Sequence, residues 1–397
     1  MTAPPFDALA SGLDPEGSEQ AEVRALVRTI VARHATPERI REYDERRAFD
    51  HDLYAALAGS GLVALDATED GTHGGDVRDQ VVVIEELAAG PTAMAVCFIV
   101  QYMGVQLLTA VGSVRQRAEV LRPLLAGESR IAFAMTEPDG GTDVARVMRT
   151  RASHTDAGHW VLNGAKMWIS GPLIARHAIV VARTDPPQPS AVDGITLFLV
   201  PLDAPGVSVR ELDTVAIHGL DTCEVRFDRV RLPDDAVLGE RGRGFRQVLA
   251  TLNRERLGAA AAALGIARGA FECSLRYARE RKAFGRPIGA FQVLQHRLVD
   301  GAVAIESARG LLTRAAAAEA RGERADLLSA MAKLAASEAA TRIVDDGMRM
   351  MGGSGLSLEY PMQRYFRDAR LYTFAPLSNE MLRNYLGERM LGLPRSF

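Results

Sequence analysis

The stretch Ile131-Ala132-Phe133-Ala134-Met135-Thr136-Glu137-Pro138-Asp139-Gly140-Gly141-Thr142-Asp143 runs from an apolar segment into a turn of small, polar and glycine residues. Downstream, Asn163-Gly164-Ala165-Lys166-Met167-Trp168-Ile169-Ser170 follows Trp160-Val161-Leu162. An Asn-Gly pair between two apolar runs predicts a tight hairpin. The first stretch offers backbone N–H groups and hydroxyls. The second offers the indole of Trp168 and the hydroxyl of Ser170, two residues apart and so on one strand face. A stacking surface beside a row of donors is what a flat polar heterocycle needs. Taken singly, the pieces are an ordinary turn and an ordinary hairpin.

Outward from this point the chain changes character on both sides. Before it, apolar residues recur at helical spacing from Ser18, as in Ala21, Val23, Leu26, Val27 and Ile30. Residues 1 to about 18 read as a loose tail. Asp50-His51-Asp52 begins a further helix that Gly59 and Gly61 end. Helices are also predicted over Val77–Ala89, Ala93–Val111 and Val114–Leu125. The Ala93–Val111 run is apolar nearly all round and reads as buried. Its Gln101 and Gly104 are candidates to line a pocket, with core packing as the other reading. After Ile131, His159–Ile169, His177–Arg183, Gly194–Val200, Val207–Leu212 and Glu224–Leu232 read as strands between Gly, Pro and Asp turns. No helical run separates them, which disfavours a doubly wound nucleotide fold. Gly239–Gly244 reads as a flexible junction. It opens a helix from Phe245 to Lys282, roughly 55 Å long if unbroken. Phe291–Arg321, Arg324–Met351 and Ser378–Leu391 complete the helices.

The length of 397 residues allows two or three cooperating domains. A net charge of −3 gives no reason to expect nucleic acid or an anionic membrane. Cys97, Cys223 and Cys273 are distant and odd in number, so no disulfide framework is expected. The eight histidines are scattered without metal-ligand spacing, so no metal is expected. Met1–Glu19 has no basic region followed by an apolar run, and no stretch of eighteen apolar residues occurs, so a cytoplasmic protein is expected. Lysine stands only at 166, 282 and 333; the arginine excess reads as codon bias rather than function.

The two opening motifs together resemble those of the acyl-CoA dehydrogenase family. There Thr-Glu-Pro-x-x-Gly-Ser-Asp precedes Asn-Gly-x-Lys-x-[Trp/Tyr]-Ile-[Ser/Thr]. The resemblance continues in order through Glu280-Arg281-Lys282-Ala283-Phe284-Gly285, Phe291-Gln292, Met351-Gly352-Gly353-Ser354-Gly355 and Arg367-Asp368-Ala369-Arg370. It thus covers nearly the whole chain. It implies an α+β fold: an N-terminal α-helical domain at 1–127, a middle β-domain at 128–240 and a C-terminal four-helix-bundle domain at 241–397. It also implies FAD. Thr136 and Ser170 would bond the polar edge of the isoalloxazine, with Phe133 and Met135 beside it and Trp168 against the ring. Thr142 replaces the family's usual Ser and keeps the hydroxyl. Arg281, Phe284 and Gly353 match positions that meet the pyrophosphate from a neighbouring subunit, which implies a homodimer or homotetramer. Arg349 stands where the family has Gln, and Ser378 near the flavin.

Removal of a proton at Cα of a thioester needs a carboxylate. Many family members carry it in a Tyr-Glu-Gly-Thr stretch; here Pro376 occupies that position, between Ala375 and Leu377. A smaller branch, typified by isovaleryl-CoA dehydrogenase, carries the base on the long helix in a Glu-Arg-Leu context. This chain has Asn253-Arg254-Glu255-Arg256-Leu257. Glu255 shares a helix face with Leu252, Ala259 and Ala262; desolvation there favours a useful base. The bland alternative is an ion pair with Arg256 or a neighbouring helix. The resemblance therefore implies Glu255 as catalytic base and Thr142, Arg256, Gln101 and Ala375 as substrate contacts. It implies an acyl thioester on coenzyme A or an acyl carrier protein, and an electron-transfer flavoprotein as acceptor. Loss of the usual carboxylate keeps a flavin monooxygenase or oxidase open, and Arg349 keeps open a non-catalytic partner subunit.

Overall fold

The computed structural model describes residues 18–67, 74–186 and 190–395; the expected loose tail falls outside them up to residue 17. In chain order the main helices are α1 (Ser18–His34), α2 (Pro37–Arg46), α3 (His51–Gly59), α4 (Val77–Ala88), α5 (Thr92–Val111), α6 (Leu252–Glu280), α7 (Gln292–Ala320), α8 (Asp326–Met351), α9 (Met362–Ala369) and α10 (Asn379–Arg389). Between α5 and α6 lie β1 (Ile131–Ala134), β2 (Arg151–His154), β3 (His159–Ser170), β4 (His177–Arg183), β5 (Ile195–Pro201), β6 (Val207–Glu211), β7 (Thr222–Pro233) and β8 (Val237–Leu238). A small ladder, β9 (Lys282–Ala283) with β10 (Arg286–Pro287), follows α6. The long helix expected from Phe245 is broken: Gly244–Leu249 ends at Ala250, and α6 starts afresh at Leu252. Side-chain caps mark helix starts at α3 and α10. Asp50 accepts from the Leu53 N–H at 3.0 Å, and Ser378 from the Met381 N–H at 3.2 Å.

The chain forms two compact units. One comprises Arg46–Gly75 and Val96–Glu255; the other comprises Met1–Glu45, Asp76–Ala95 and Arg256–Phe397. The first holds the eight-stranded sheet, in the order β6-β7-β3-β2-β4-β5-β8, with β1 parallel to β4. Its core is a period-2 pattern made solid: Trp160 and Leu162 of β3 and Val225, Phe227, Val230 and Leu232 of β7 are buried together with Phe198.

The hairpin expected at Asn163-Gly164 does not form. β3 runs through it as one strand paired with β7, and the register shifts between Leu162 and Gly164. Asn163 alone faces Asp228 and Arg229, which makes the site a β-bulge. Two local facts favour it over a turn. The Asn163 side chain accepts from the Arg229 N–H at 2.9 Å. Gly164 has φ +147°, and a Cβ there would stand 2.5 Å from Thr150 Oγ1. The glycine thus serves a close strand approach instead of reversing the chain.

α5 is long and apolar enough to cross a membrane by length and composition. In this fold it is a core helix, with Met94, Phe98, Leu107 and Leu108 buried.

The helical unit is organised by charge as well as by apolar packing. The adjacent Glu85 and Glu86 of α4 are both buried. Glu85 meets Arg309 of α7 at 2.9 Å, and Arg24 of α1 and Arg268 of α6 at 3.4 Å each. Glu86 meets Arg268 at 2.8 Å and Arg28 at 2.9 Å, and pairs also with Arg24. Burial pushes the Glu86 carboxyl up, but the charges of Arg268, Arg24 and Arg28 outweigh it and hold it at about 2. Gly265 lets α6 reach this contact: a Cβ there would lie 2.2 Å from the Glu85 carbonyl oxygen.

Candidate active site

The site is built in the sheet unit from the loop that follows β1. Glu137, in the middle of the quoted motif, is buried. Its carboxylate accepts the backbone N–H groups of Arg149 at 2.6 Å and Thr150 at 2.9 Å. It also accepts from Lys166 Nζ of β3 at 2.9 Å, and that ammonium donates to the Met135 carbonyl at 2.9 Å. Burial pulls the Lys166 ammonium down to about 8 despite the Glu137 charge. Burial works on Glu137 in the opposite sense, yet Lys166 and the backbone donors leave that carboxyl below its usual range. One buried pair therefore fastens Met135, Glu137 and Thr150 to β3. Next to it the Met167 N–H donates to the Thr136 carbonyl at 2.9 Å.

That bond sets Thr136, in the loop after β1, beside Met167, the residue before Trp168 in β3. Trp168 is anomalous in two ways. Its side chain is 60% exposed, and its backbone has φ +63°. A bulky residue in the left-handed region costs on the order of 1–3 kcal/mol and marks sites where surrounding structure imposes the conformation. It occurs where the β3–β7 register shifts again, between Lys166 and Ile169. The exposed indole sits at that bulge, and the next residue, Ile169, is buried. Ser170 pairs with Thr222 at the strand end and is half-buried. Phe133 and Met135 are half-buried, and Thr142 is exposed.

Glu255 belongs to the same unit, in the first turn of α6, and is half-buried. That position faces the positive end of the helix, where a carboxylate is stabilised. Of the adjacent arginines, Arg254 pairs with Asp66, and the Arg256 guanidinium lies over the Tyr385 ring, 5.3 Å from its centre.

Apart from Gln101, the remaining predicted residues lie in the helical unit and form two groups. Arg281 and Phe284 sit on the β9–β10 ladder, both exposed; Phe284, at the turn, is 94% exposed with φ +53°. Arg349 and Gly353 flank the end of α8. Tyr277, Ala278 and Met350 pack around the ladder's base, and the Tyr277 hydroxyl reaches Ser354 Oγ at 3.3 Å. Arg349 is an exposed helix arginine paired with Asp345 at 3.0 Å. The second group, Ala375 and Ser378, precedes α10 beside Lys333, about 25 Å from Met350 along α8.

Gln101 is a correction. It was expected at a substrate pocket but is buried, and its amide is spent on β1. Oε1 accepts the Ile131 N–H at 2.9 Å, and Nε2 donates to the Ile131 carbonyl at 3.2 Å. Gly104, the other pocket candidate, lies against Ile131, whose Cγ2 would be 2.3 Å from a Cβ. Sequence reasoning missed Glu137 and Lys166 as a pair. The available signal was an acid in a loop motif with one of only three lysines a short way downstream.

Comparison with known proteins covers nearly all of the chain. Three family models match in order: acyl-CoA dehydrogenase N-terminal domain over 17–128, middle domain over 132–230 and C-terminal domain over 242–391. The human mitochondrial short-chain specific acyl-CoA dehydrogenase is 36% identical over 360 residues, 89% of this chain and 86% of the relative. Among solved structures, butyryl-CoA dehydrogenase from Megasphaera elsdenii superposes with a TM-score of 0.90 at 31% identity, over 95% of this chain and 99% of that one. A glutaryl-CoA dehydrogenase from Mycobacterium smegmatis in complex with FADH2 gives 0.89 at 28% identity, over 96% of each chain.

Proposed function

Because the chain belongs to the acyl-CoA dehydrogenase family, we propose that it dehydrogenates the Cα–Cβ bond of an acyl group carried on coenzyme A, with Glu255 as the α-proton base. It is an oxidoreductase acting on CH–CH bonds, and its cofactor is FAD. The observation that carries the reading is the exposed, strained Trp168, next to the Met167 N–H that bonds Thr136 and two residues along β3 from the buried Lys166. An aromatic face held open beside backbone and hydroxyl donors fits an isoalloxazine ring and has no evident use in packing. When bound, FAD supplies the acceptor for the β-hydride.

The chain's own residues divide the remaining work. Thr136 and Ser170 hold the ring edge, with Phe133 and Met135 beside it, and Trp168 covers a face. Glu255 takes the α-proton, a role supported by its half-buried place in the first turn of α6 and by Pro376 at the alternative position. Arg281, Phe284 and Gly353, with Arg349, meet the pyrophosphate of the FAD of a neighbouring copy. The exposure of Arg281 and Phe284 supports that arrangement, and with it a homodimer or homotetramer. Thr142, Arg256 and Ala375 border the thioester. Electrons leave to an electron-transfer flavoprotein, and the protein works in the cytoplasm.

The test is anaerobic mixing of the FAD-loaded protein with a panel of acyl-CoA thioesters while flavin absorbance is followed. Bleaching by a saturated acyl-CoA is expected. Absence of bleaching across the panel, with oxygen-dependent turnover instead, would move the protein to a monooxygenase or oxidase role. A strong preference for the same acyl group on an acyl carrier protein would reassign the carrier.

A further inference from the structure

Lysine is the rare basic residue of this chain, present at three positions among 47 basic side chains. Two of the three, Lys166 and Lys333, are wholly buried at 0% exposure. They are bound alike: each ammonium meets one backbone carbonyl and one side-chain oxygen. For Lys166 these are Met135 and Glu137. For Lys333 they are the Leu377 carbonyl and Asn379 Oδ1, both at 2.8 Å. A compact ammonium on a flexible stem suits such a closed spot; a planar guanidinium would bring five donors to two acceptors. These are places where the chain's usual arginine does not fit.

The two acceptors of Lys333 flank Ser378, the N-cap of α10. Ser337, one turn along α8, donates to the same Asn379 Oδ1 at 3.0 Å. Ser378 is thus gripped on both sides from α8. Burial pulls the Lys333 ammonium down to about 8, opposed by the nearby charges of Glu380 and Glu338. The cost of burying this charge is set against hydrogen bonds that reach only the segment leading into α10. That segment holds Ala375 and Pro376, the stretch where the usual base is missing.

We propose that Lys333 is a positioning residue: through Leu377 and Asn379 it fixes Ala375–Ser378 where that segment borders the acyl thioester. The proposal rests on the dehydrogenase reading for the identity of the thioester, but its structural half stands alone. In FAD-loaded, full-length protein, Lys333→Met and Asn379→Ala are compared with the parent. Amide exchange in the peptide 371–381 should quicken about tenfold or more, as local opening becomes easier. The KM for acyl-CoA should rise about tenfold with kcat within threefold, the pattern of lost substrate binding. The flavin spectrum should not change.

Unchanged exchange and unchanged KM would overturn the proposal. So would kcat and flavin content falling together at constant KM, which is the pattern of a merely structural lysine. If Lys333→Met does not fold, Asn379→Ala decides by the same readings. If no acyl-CoA bleaches the parent, the functional reading fails, and the exchange comparison still decides the positioning role.

Discussion

Lys166→Met and Glu137→Gln remove opposite halves of one buried pair, and their costs should depend on pH in opposite senses. Lys166→Met strands a carboxylate that is 4% exposed. If it escapes by taking a proton, the cost at pH 7 is that of protonating a carboxyl with an ordinary pKa of about 4.3, about 3.7 kcal/mol. This is a ceiling, because the Arg149 and Thr150 N–H groups still bond the anion. The ceiling falls by about 1.4 kcal/mol per unit as pH drops, to about 1 kcal/mol at pH 5. Glu137→Gln instead strands the ammonium. Releasing its proton at pH 7, from an ordinary pKa of about 10.4, costs at most about 4.6 kcal/mol and becomes easier as pH rises. In the parent Lys166 keeps its proton up to about pH 8. The Glu137→Gln penalty should therefore shrink by up to about 1.4 kcal/mol between pH 7 and 8. The double variant leaves no charge behind and should cost less than the two single costs added. Urea unfolding followed by circular dichroism at pH 5, 6, 7 and 8, each variant against the parent at the same pH, measures all three. Parallel pH slopes for the single variants, or an additive double variant, would refute the reasoning.

Three other outcomes are expected. Glu255→Gln should keep fold and flavin yet slow flavin reduction by acyl-CoA about 100-fold or more, the usual worth of a general base, while dithionite still bleaches it. A near-parent rate, with Glu380→Gln slow instead, would move the base to α10. Arg281→Ala should lose FAD without losing helix content, read from the ratio of flavin to protein absorbance; full occupancy would remove Arg281 from the cofactor. Glu86, with its carboxyl depressed to about 2, contributes stability that is complete above about pH 4.5 and lost as pH falls through the folded value. Glu86→Gln should therefore be less stable than the parent at pH 7, with a gap that narrows between pH 5 and pH 3. A gap independent of pH would mean that the arginines around Glu86 do not act on its charge.

The helix–strand–helix order was legible because it rests on local periodicity. The runs around Val27, Val180 and Ala262 announce their elements within a dozen residues. That the two motifs meet was legible where each names its residues: the Met167 N–H, next to Trp168, bonds the Thr136 carbonyl. What escaped depends on partners distant in sequence. Asn163-Gly164 carries a hairpin signal, yet Arg229 on β7 and the closeness of Thr150 make it a bulge. Gln101 looked like a polar residue facing a pocket until Ile131, thirty positions on, took both ends of its amide. Glu137 and Lys166 are polar letters in a loop and a strand; only the fold shows them fully enclosed and facing each other. The Glu85–Glu86 cluster is the same case on a larger scale, since its arginines come from three other helices.

The burial of Lys166 and Lys333 leaves Lys282 as the chain's solvent-exposed lysine side chain. Thioesters transfer their acyl groups to free amines without any catalyst. A protein that spends its working life among activated acyl groups offers them few such targets if its surface cations are guanidinium. Here random acylation is confined to one side-chain amine, beside Arg281 on the β9–β10 ladder. Among side-chain amines, an amine-reactive dye or cross-linker would for the same reason report on that ladder.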